Sequence, residues 1–167
     1  RLVAPVLDVL ILPVGSLDGL VALRQGLCQV AGCHLYDVPS QEYNLPYLRH
    51  FFPDQPVELF ALAYRQQGLM LAPGNPKHVT GLADLGRPEV TFINRNRGSG
   101  TRLWLDEALA GMGLPCGQVR GYGVEAATHT EVAEAVTQRR ADLGLGIQAS
   151  AQAFGLDFIP LFQERFD

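Results

Sequence analysis

A short stretch near the middle of the chain combines the residue types that bind anions. Residues 92–103 read FINRNRGSGTRL, an apolar strand followed by a Gly-Ser-Gly turn and the start of an apolar helical pattern. Free backbone N–H groups at such a helix start favour an anion, and Ser99 and Thr101 add hydroxyl donors. Three arginines add positive charge: Arg95, Arg97 and Arg102. We therefore predict an oxyanion site here; the alternative is a capped helix start with solvated arginines.

Two more helix starts carry side chains that could contact the same ligand. A second glycine–serine turn ends at Ser16, after the apolar run Val6–Pro13, and its alternative role is a plain N-cap. A third start carries Thr128 and His129, and Thr128 and Glu131 have the spacing of a capping box. Since helix-start donors follow a strand here too, we predict that this third start forms another edge of the site.

The composition is that of a globular protein. The 167 residues are 47% hydrophobic and 18% charged, which excludes a disordered chain. A formal net charge of −4 argues against direct nucleic-acid binding by this segment. Asp8 and Pro13 interrupt the apolar run from Val6 to Val14, so no segment approaches the length of a membrane span.

The three cysteines, Cys28, Cys33 and Cys116, cannot all pair within the chain. Their spacing suits no common zinc pattern, so we expect buried free thiols, no metal and no cofactor. Free thiols indicate a reducing compartment and therefore a cytoplasmic location. Because the chain begins at Arg1 rather than Met, a periplasmic location after removal of an export signal stays open.

Strand-like and helix-like segments alternate along the chain. Predicted strands cover Val6–Pro13, Gln29–Leu35, Val57–Tyr64, Gly68–Ala72, Val119–Val124, Asp142–Ile147 and Phe158–Phe162. Predicted helices include Leu45–Phe52, Thr80–Leu85, Thr101–Met112, Glu131–Arg140 and Gln148–Phe154. This alternation predicts an α/β protein with mainly parallel sheets. The spacing of the two glycine–serine turns in the sequence would place one turn in each half of a two-lobed molecule.

Several short motifs occur in an order that carries a family resemblance. They are Gly15-Ser16-Leu17-Asp18-Gly19-Leu20, Ala31-Gly32-Cys33-His34-Leu35, Glu42-Tyr43-Asn44, Tyr64-Arg65-Gln66-Gln67-Gly68-Leu69, Ala72-Pro73-Gly74-Asn75-Pro76, Asn94–Arg102, Thr128-His129 and Arg140–Gly146. With them the chain resembles the periplasmic-binding-protein-like domain associated with molybdate. That domain is found next to winged-helix DNA-binding domains and at the end of molybdopterin-biosynthesis proteins. The resemblance covers essentially the whole chain.

The resemblance implies a type 2 periplasmic-binding-protein fold, with two α/β lobes joined by crossing strands and a ligand cleft between them. Lobe I would comprise residues 1–62 and lobe II residues 63–167, with the final strand returning towards lobe I. Compared with the family, the sequence lacks a strand–Ser/His–helix element before Arg1 and an apolar strand after Asp167. We therefore expect a fold truncated at both ends.

The resemblance also implies the ligand and its binding residues. Type 2 proteins for molybdate and tungstate hold the oxyanion with hydroxyls and backbone N–H groups at helix starts. Carried over by motif, the predicted set is Ser16, Arg95, Ser99, Gly100, Thr101, Arg102, Thr128 and His129. The domain would be a non-catalytic binding or sensing domain without catalytic residues, next to a winged-helix or molybdopterin-biosynthesis domain upstream.

The types of group at the two turns bear on ligand choice. The groups available there are the hydroxyls of Ser16, Ser99 and Thr101, backbone N–H groups and arginine, and this mostly donating set suits a fully deprotonated oxyanion such as molybdate, tungstate or sulfate. Phosphate keeps a proton near neutral pH and needs an acceptor, and neither turn contains Asp or Glu. Two alternatives stay open: an effector-sensing domain for another small ligand, and a dehydratase-like enzyme using Thr128-His129 or Thr101-Arg102. No carboxylate pair and no nucleophile–base spacing in the sequence supports the enzyme alternative.

Overall fold

Helices and short strands alternate in the structure, a computed structural model that describes residues 8–167. The α-helices are α1 (Ser16–Arg24), α2 (Leu45–Phe51), α3 (Gly100–Gly111), α4 (His129–Thr137) and α5 (Gln148–Ala153). The strands are β1 (Tyr36–Asp37), β2 (Glu42–Tyr43), β3 (Ala63–Leu71), β4 (Phe92–Arg95), β5 (Glu125–Ala126), β6 (Leu143–Ile147) and β7 (Asp157–Phe166). Two 3-10 helices cover Leu82–Gly86 and Cys116–Gln118. The predicted mixture of helices and strands is confirmed.

The larger sheet has five strands in the order β5-β4-β6-β3-β7. β4 is parallel to β5 and β6, whereas β3 is antiparallel to β6 and β7. The prediction of mainly parallel sheets is therefore wrong. The reason is a long ribbon formed by β3 and β7, which pair from Ala63 to Leu71 while β6 pairs with β3 only from Gln67 onwards.

The ribbon of β3 and β7 connects the sheet to the N-terminal part of the chain. Beyond the end of β7, Asp167 exchanges two backbone hydrogen bonds with Cys33, at 2.9 and 3.0 Å. The side chain of Asn44 donates to the Asp167 carboxylate at 2.8 Å. The segments that contain Cys33 and Asn44 are therefore hydrogen-bonded to the end of the ribbon. The division between residues 62 and 63 stays a prediction.

Several predicted strands differ from those observed. The segments Val57–Tyr64 and Gly68–Ala72 were predicted as two strands, but Ala63–Leu71 is one strand that contains the polar residues between them. The pairing of β3 with β7 shifts its register between Gln67 and Gly68. The predicted strands Gln29–Leu35 and Val119–Val124 are irregular chain and turns. Both segments make only isolated backbone hydrogen bonds to neighbouring strands or their ends, such as Cys33 to Asp167 and Asn94 to Val124, instead of a continuous ladder.

The N-terminal apolar run is not a strand where the structure describes it. Val9, Leu10, Ile11 and Leu12 are 70%, 85%, 80% and 67% exposed, and residues 8–15 have no regular structure. The prediction of a buried strand over Val6–Pro13 is wrong for these residues, and its first two residues lie outside the described range. A strand needs a neighbour for its backbone hydrogen bonds, and none of the described strands pairs with this run.

Buried apolar side chains cover both faces of the sheet and form a third cluster elsewhere. Leu69 and Phe92 belong to one cluster and their neighbours Met70 and Ile93 to another, as the two-residue period of strands requires. The third cluster lies against α1 and α2 and consists of Leu20, Cys33, Leu35, Leu48 and Phe52. Among residues 8–167, no helix combines the length and apolar character that a membrane crossing requires.

Candidate functional site

The two glycine–serine turns lie in direct contact. The Leu17 N–H donates to the Gly98 carbonyl at 3.2 Å, and a Cβ on Gly15 would lie 2.9 Å from the same carbonyl. Ser16 is the first residue of α1, and Ser99 is the N-cap of α3. Both serines are buried. The positive ends of two helices therefore converge at one place.

Each serine keeps a hydroxyl proton that it can donate. The Ser99 hydroxyl oxygen accepts from the Arg102 N–H at 3.2 Å, and the Ser16 hydroxyl oxygen accepts from the His34 N–H at 3.3 Å. A hydroxyl that accepts a backbone hydrogen bond can still donate its own proton. These two side chains are consequently fixed in position and available as donors.

A buried polar cluster lies beside the turns and is built around Glu164 of β7. His34 Nδ1 is 2.8 Å from one Glu164 carboxylate oxygen, which also accepts from Gln67 at 2.8 Å. Arg65 binds the other oxygen through Nε at 2.6 Å and through a terminal nitrogen. Gln67 also donates to the Thr101 hydroxyl at 3.1 Å. This cluster links the His34 segment, the β3–β7 ribbon and the first turn of α3.

A second basic group, Arg95, lies at the end of β4 and is 7% exposed. Its guanidinium donates to the carbonyl oxygens of Ala126 and Ala127 at 3.3 and 2.9 Å. One terminal nitrogen also lies 3.0–3.1 Å from the two ring nitrogens of His129. Within residues 8–167, none of its hydrogen bonds goes to a carboxylate. Arg95 is therefore a buried positive charge without a paired negative one.

Comparison with known sequences places this arrangement in a family. The model of the PBP superfamily domain, the periplasmic-binding-protein superfamily, matches residues 3–167. The chain belongs to the PBP superfamily. It is also 39% identical over 153 residues to the uncharacterized protein YvgK of Bacillus subtilis (strain 168), covering 92% of this chain. The chain spans 50% of the length of that curated relative.

Solved structures share the fold of this PBP domain at low sequence identity. A phosphate transporter substrate-binding protein from Clostridium perfringens, solved with bound phosphate, aligns with a TM-score of 0.57 at 12% identity, over 92% of this chain and 70% of that one. The ligand-binding domain of AvGluR1 in complex with phenylalanine aligns with a TM-score of 0.58 at 10% identity, over 95% and 61%. The ancestral amino-acid-binding protein AncCDT-1 aligns with a TM-score of 0.54 at 14% identity, over 90% and 60%. The predicted two-lobed fold is confirmed.

Burial and neighbouring charge set the ionisation of the PBP domain's polar cluster. Burial and the nearby Arg65 charge lower the pKa of Arg95 to about 10, so it remains a cation at neutral pH. Burial and the charges of Arg95, Arg65 and His34 lower the pKa of His129 well below its usual range. Burial opposes ionisation of Glu164, but its interactions with His34, Arg65 and Gln67 together outweigh burial and lower the pKa of that carboxyl. At neutral pH, His129 is thus uncharged and Glu164 is ionised.

The structure brings most of the predicted ligand residues of this PBP domain together. Around the converging helix starts and the polar cluster lie Ser16, Ser99, Gly100, Thr101, Arg95 and His129. Gly100 packs so closely on His34 that an added Cβ would lie 2.5 Å from its Nδ1. These predicted roles as ligand residues stay predictions.

Arg102 and Thr128 have other partners in the structure. The Arg102 guanidinium binds Asp106 at 3.0 Å, Glu125 at 3.3 Å and the Arg95 carbonyl at 3.2 Å, and it stacks on Tyr122. The Arg102 charge is therefore paired, and the side chain supports the turn before α3. The Thr128 hydroxyl caps α4 by accepting from the Glu131 N–H at 3.1 Å, as predicted, but the Glu131 carboxylate accepts from the Ala127 N–H at 2.8 Å, so the predicted capping box is not completed at Thr128.

Sequence reasoning missed Glu164, Gln67 and Arg65 as members of the site. Arg65 and Gln67 are two residues apart on β3, so they point to the same face of the ribbon. Charged and amide side chains inside an otherwise apolar strand were the sequence feature that could have indicated their place in the site. Among the described residues no group of three or more His, Cys, Asp or Glu side chains is placed to hold a metal ion.

Proposed function

We propose that this PBP domain binds a small anion beside Arg95. The observation that carries the proposal is the buried Arg95 guanidinium, whose hydrogen bonds within the described chain go to carbonyl, amide and imidazole groups only. Burying an unpaired charge is costly, and a bound anion would offset that cost. The adjacent Arg65 already pairs with Glu164, and Glu131 acts on Arg95 through its charge without a hydrogen bond, so no carboxylate of the described residues occupies the place of a bound anion on the guanidinium.

The helix starts supply further donors for such an anion. Ser16 and Ser99 lie at the N-termini of α1 and α3, where helix dipoles favour negative charge. Because each hydroxyl oxygen already accepts a backbone N–H, the remaining capacity of each side chain is donation. Donation from two helix starts and one arginine is the chemistry that an oxyanion requires.

Molybdate or tungstate is our preferred ligand, on the strength of the family resemblance. Glu164 is surrounded by His34, Arg65 and Gln67, so its carboxylate offers little capacity to accept a proton from a ligand. A fully deprotonated oxyanion places no such demand, whereas hydrogen phosphate would lose about 1–3 kcal/mol for an unpaired donor.

One atom favours a second candidate, an anion that also carries a hydrogen-bond donor. The Gln67 side-chain oxygen is fully buried and accepts no hydrogen bond from the described residues. Its amide nitrogen is oriented by Glu164 and Thr101, which keeps the oxygen directed elsewhere. A protonated phosphate or another small effector with a donor would satisfy that oxygen.

Binding rather than catalysis is the proposed activity. His34 and Glu164 form a base-like pair, yet in the part of the chain that the structure describes neither ring nitrogen of His34 hydrogen-bonds a hydroxyl or thiol. A nucleophile would need that contact. We further propose that closure on the anion signals to a winged-helix or molybdopterin-biosynthesis domain in a longer cytoplasmic protein, since the chain spans half of its curated relative.

Thermal unfolding with a panel of sodium salts at equal ionic strength tests this function. Molybdate or tungstate at about 100 times its dissociation constant should stabilise the protein by about 2.7 kcal/mol, a rise in Tm of about 5–10 °C. Ser99→Ala should reduce the rise, whereas Ser150→Ala on α5 should not. Equal effects of molybdate, sulfate, phosphate and chloride would contradict specific anion binding, and a rise with phosphate alone would select the second candidate.

A further inference from the structure

A groove of about 660 Å³ lies between β1 and α3. Its lining residues are separate from Arg95, His129 and the Glu164 cluster. One wall contains Tyr36, Asp37 and Tyr47, and the other contains Trp104 and Glu107 of α3. The volume is in the range of pockets that hold small organic molecules. The groove is therefore large enough to be a second ligand site.

The aromatic side chains of this groove are held in place by neighbouring groups. Trp104 stacks on Phe162 with ring centroids 3.8 Å apart, so the protein holds the indole in place. The Tyr47 hydroxyl donates to the Tyr36 carbonyl at 3.3 Å, which ties the opposite wall together. Fixed aromatic rings favour a flat apolar group and attract a cation to their faces.

The charge of the groove is negative. Among its described lining residues are Asp37, Asp106 and Glu107, and none is Lys, Arg or His. Arg102 pairs with Asp106, but Asp37 receives only the N–H and hydroxyl of Ser40. Glu107 is exposed and has no ion-pair or hydrogen-bond partner within residues 8–167. Two uncompensated carboxylates therefore flank the aromatic rings.

The charges of Asp37 and Glu107 both affect the phenol of Tyr47 in the groove. Burial raises the pKa of the Tyr47 phenol, and the charges of Asp37 and then Glu107 raise it further. Tyr47 thus lies in the negative field of groups from both walls. An anionic ligand is disfavoured there, so the groove differs in chemistry from the anion cleft.

We propose that this groove binds a small organic cation, an ammonium group carried on a flat apolar body. The apolar body would contact Trp104 and Tyr36, and the ammonium group would lie near Asp37 and Glu107. Cation–π attraction and charge pairing act together in this arrangement. The site is independent of the proposed anion cleft and adds a second class of ligand to the domain.

The test is a titration with 2-phenylethylamine, followed by intrinsic fluorescence. Trp104 is the only tryptophan in the 167 residues, so the emission reports on the groove directly. The matched probes are 2-phenylethanol, which lacks the charge, and phenylacetate, which reverses it. We expect a saturable fluorescence change with the amine and none with the other two probes at equal concentration.

Two charge-neutralising variants and one control locate the binding. Glu107→Gln and Asp37→Asn should each raise the dissociation constant about threefold to fivefold, as the loss of an exposed charge pair does. Glu58→Gln, at an exposed carboxylate outside the groove, should leave it unchanged. No saturation up to about 10 mM amine, equal binding of 2-phenylethanol, or an equal loss in Glu58→Gln would overturn the proposal. Because the probe is a cation, none of these results depends on anion binding.

Discussion

The backbone of Gly15 touches the backbone of Gly98. A Cβ at Gly15 would lie 2.9 Å from both the carbonyl carbon and the carbonyl oxygen of Gly98 and 3.0 Å from the Ser99 nitrogen. Real Cβ atoms do not approach backbone so closely, because dense packing leaves no room for overlap. The contact between these glycines is what allows the starts of α1 and α3 to converge.

Gly15→Ala should separate the two turns. Gly15 has an extended backbone with φ of −68°, so alanine fits its conformation and only the contact is disturbed. We expect a loss of about 1–3 kcal/mol in the free energy of unfolding, measured by urea denaturation. Gly123→Ala is the control, because a Cβ there meets no atom within 4 Å. Equal stability of the two variants would show that the turns do not pack together in solution.

The arginines around the second turn should differ sharply in their effect on stability. The Arg102 side chain is 6% exposed and paired with Asp106 and Glu125, whereas the Arg97 side chain is 88% exposed. Arg102→Ala should cost about 2 kcal/mol in the free energy of unfolding, because it removes a buried side chain that packs on Tyr122 and donates to the Arg95 carbonyl. Arg97→Ala should cost less than about 1 kcal/mol.

Urea denaturation of both arginine variants checks this difference. The sequence motif places Arg102 among the predicted ligand residues, whereas in the structure its ion pairs brace the turn before α3. The observed ion pairs correspond to the brace, so anion affinity should fall less than stability does. A variant Arg102→Ala with wild-type stability and greatly weakened anion binding would contradict this account.

The parts of the site that sequence patterns could predict are local. Glycines, capping hydroxyls and an apolar period specify the turn before α3 and the start of α4, and Thr128 caps that helix as predicted. The Glu164–Gln67 contact joins residues 97 positions apart in the sequence. It depends on the register between β3 and β7, which tertiary packing sets and local patterns do not encode.

The N-terminal part of the fold illustrates the same limit. The residues of Val9–Leu12 have strand-like composition, yet they are exposed because no described strand pairs with them. Hydrophobic composition indicates that a segment favours burial but not whether a partner lies within reach. Likewise, the polar residues Arg65 and Gln67 led to the prediction of two separate strands, although their side chains belong to the buried cluster of one continuous strand.

His129 should make the protein less stable in acid. Its folded-state pKa is depressed, so the folded protein binds fewer protons than the unfolded chain. The associated stability is complete above the unfolded pKa of about 6.5 and is lost as the pH falls below it. Between pH 7.5 and 5.5, His129→Gln should flatten the fall in the free energy of unfolding, by up to about 1.4 kcal/mol per pH unit below pH 6.5.

Denaturation at several pH values measures this effect, with His50→Gln as the matched control. His50 is exposed on α2, so its replacement should leave the pH profile unchanged. Glu164 contributes a further loss at lower pH, because its folded-state pKa is lowered as well. Parallel profiles for wild type and His129→Gln would show that His129 is not buried beside Arg95 in solution.

The exposed apolar run should bind hydrophobic dyes. Val9, Leu10, Ile11 and Leu12 present adjacent aliphatic side chains to solvent, which is uncommon on soluble proteins. A double change of Leu10→Ser and Ile11→Ser should lower the fluorescence of bound anilinonaphthalene sulfonate and alter the free energy of unfolding by less than about 0.5 kcal/mol. Val124→Ser, at an isolated exposed valine, is the control. Unchanged dye binding would mean that the run is covered in solution.

Isothermal titration of the wild type and of Arg95→Gln with molybdate and tungstate measures whether the buried guanidinium receives an anion. We expect saturable binding in the wild type and a loss of about 1.5–3 kcal/mol, roughly 10- to 150-fold in affinity, in the variant. Arg97→Ala, which removes an exposed arginine close to the same turn, should bind as the wild type does. Binding that is equally strong in Arg95→Gln, or no saturable binding of any small anion to the wild type, would contradict the proposal that this buried guanidinium receives an anion.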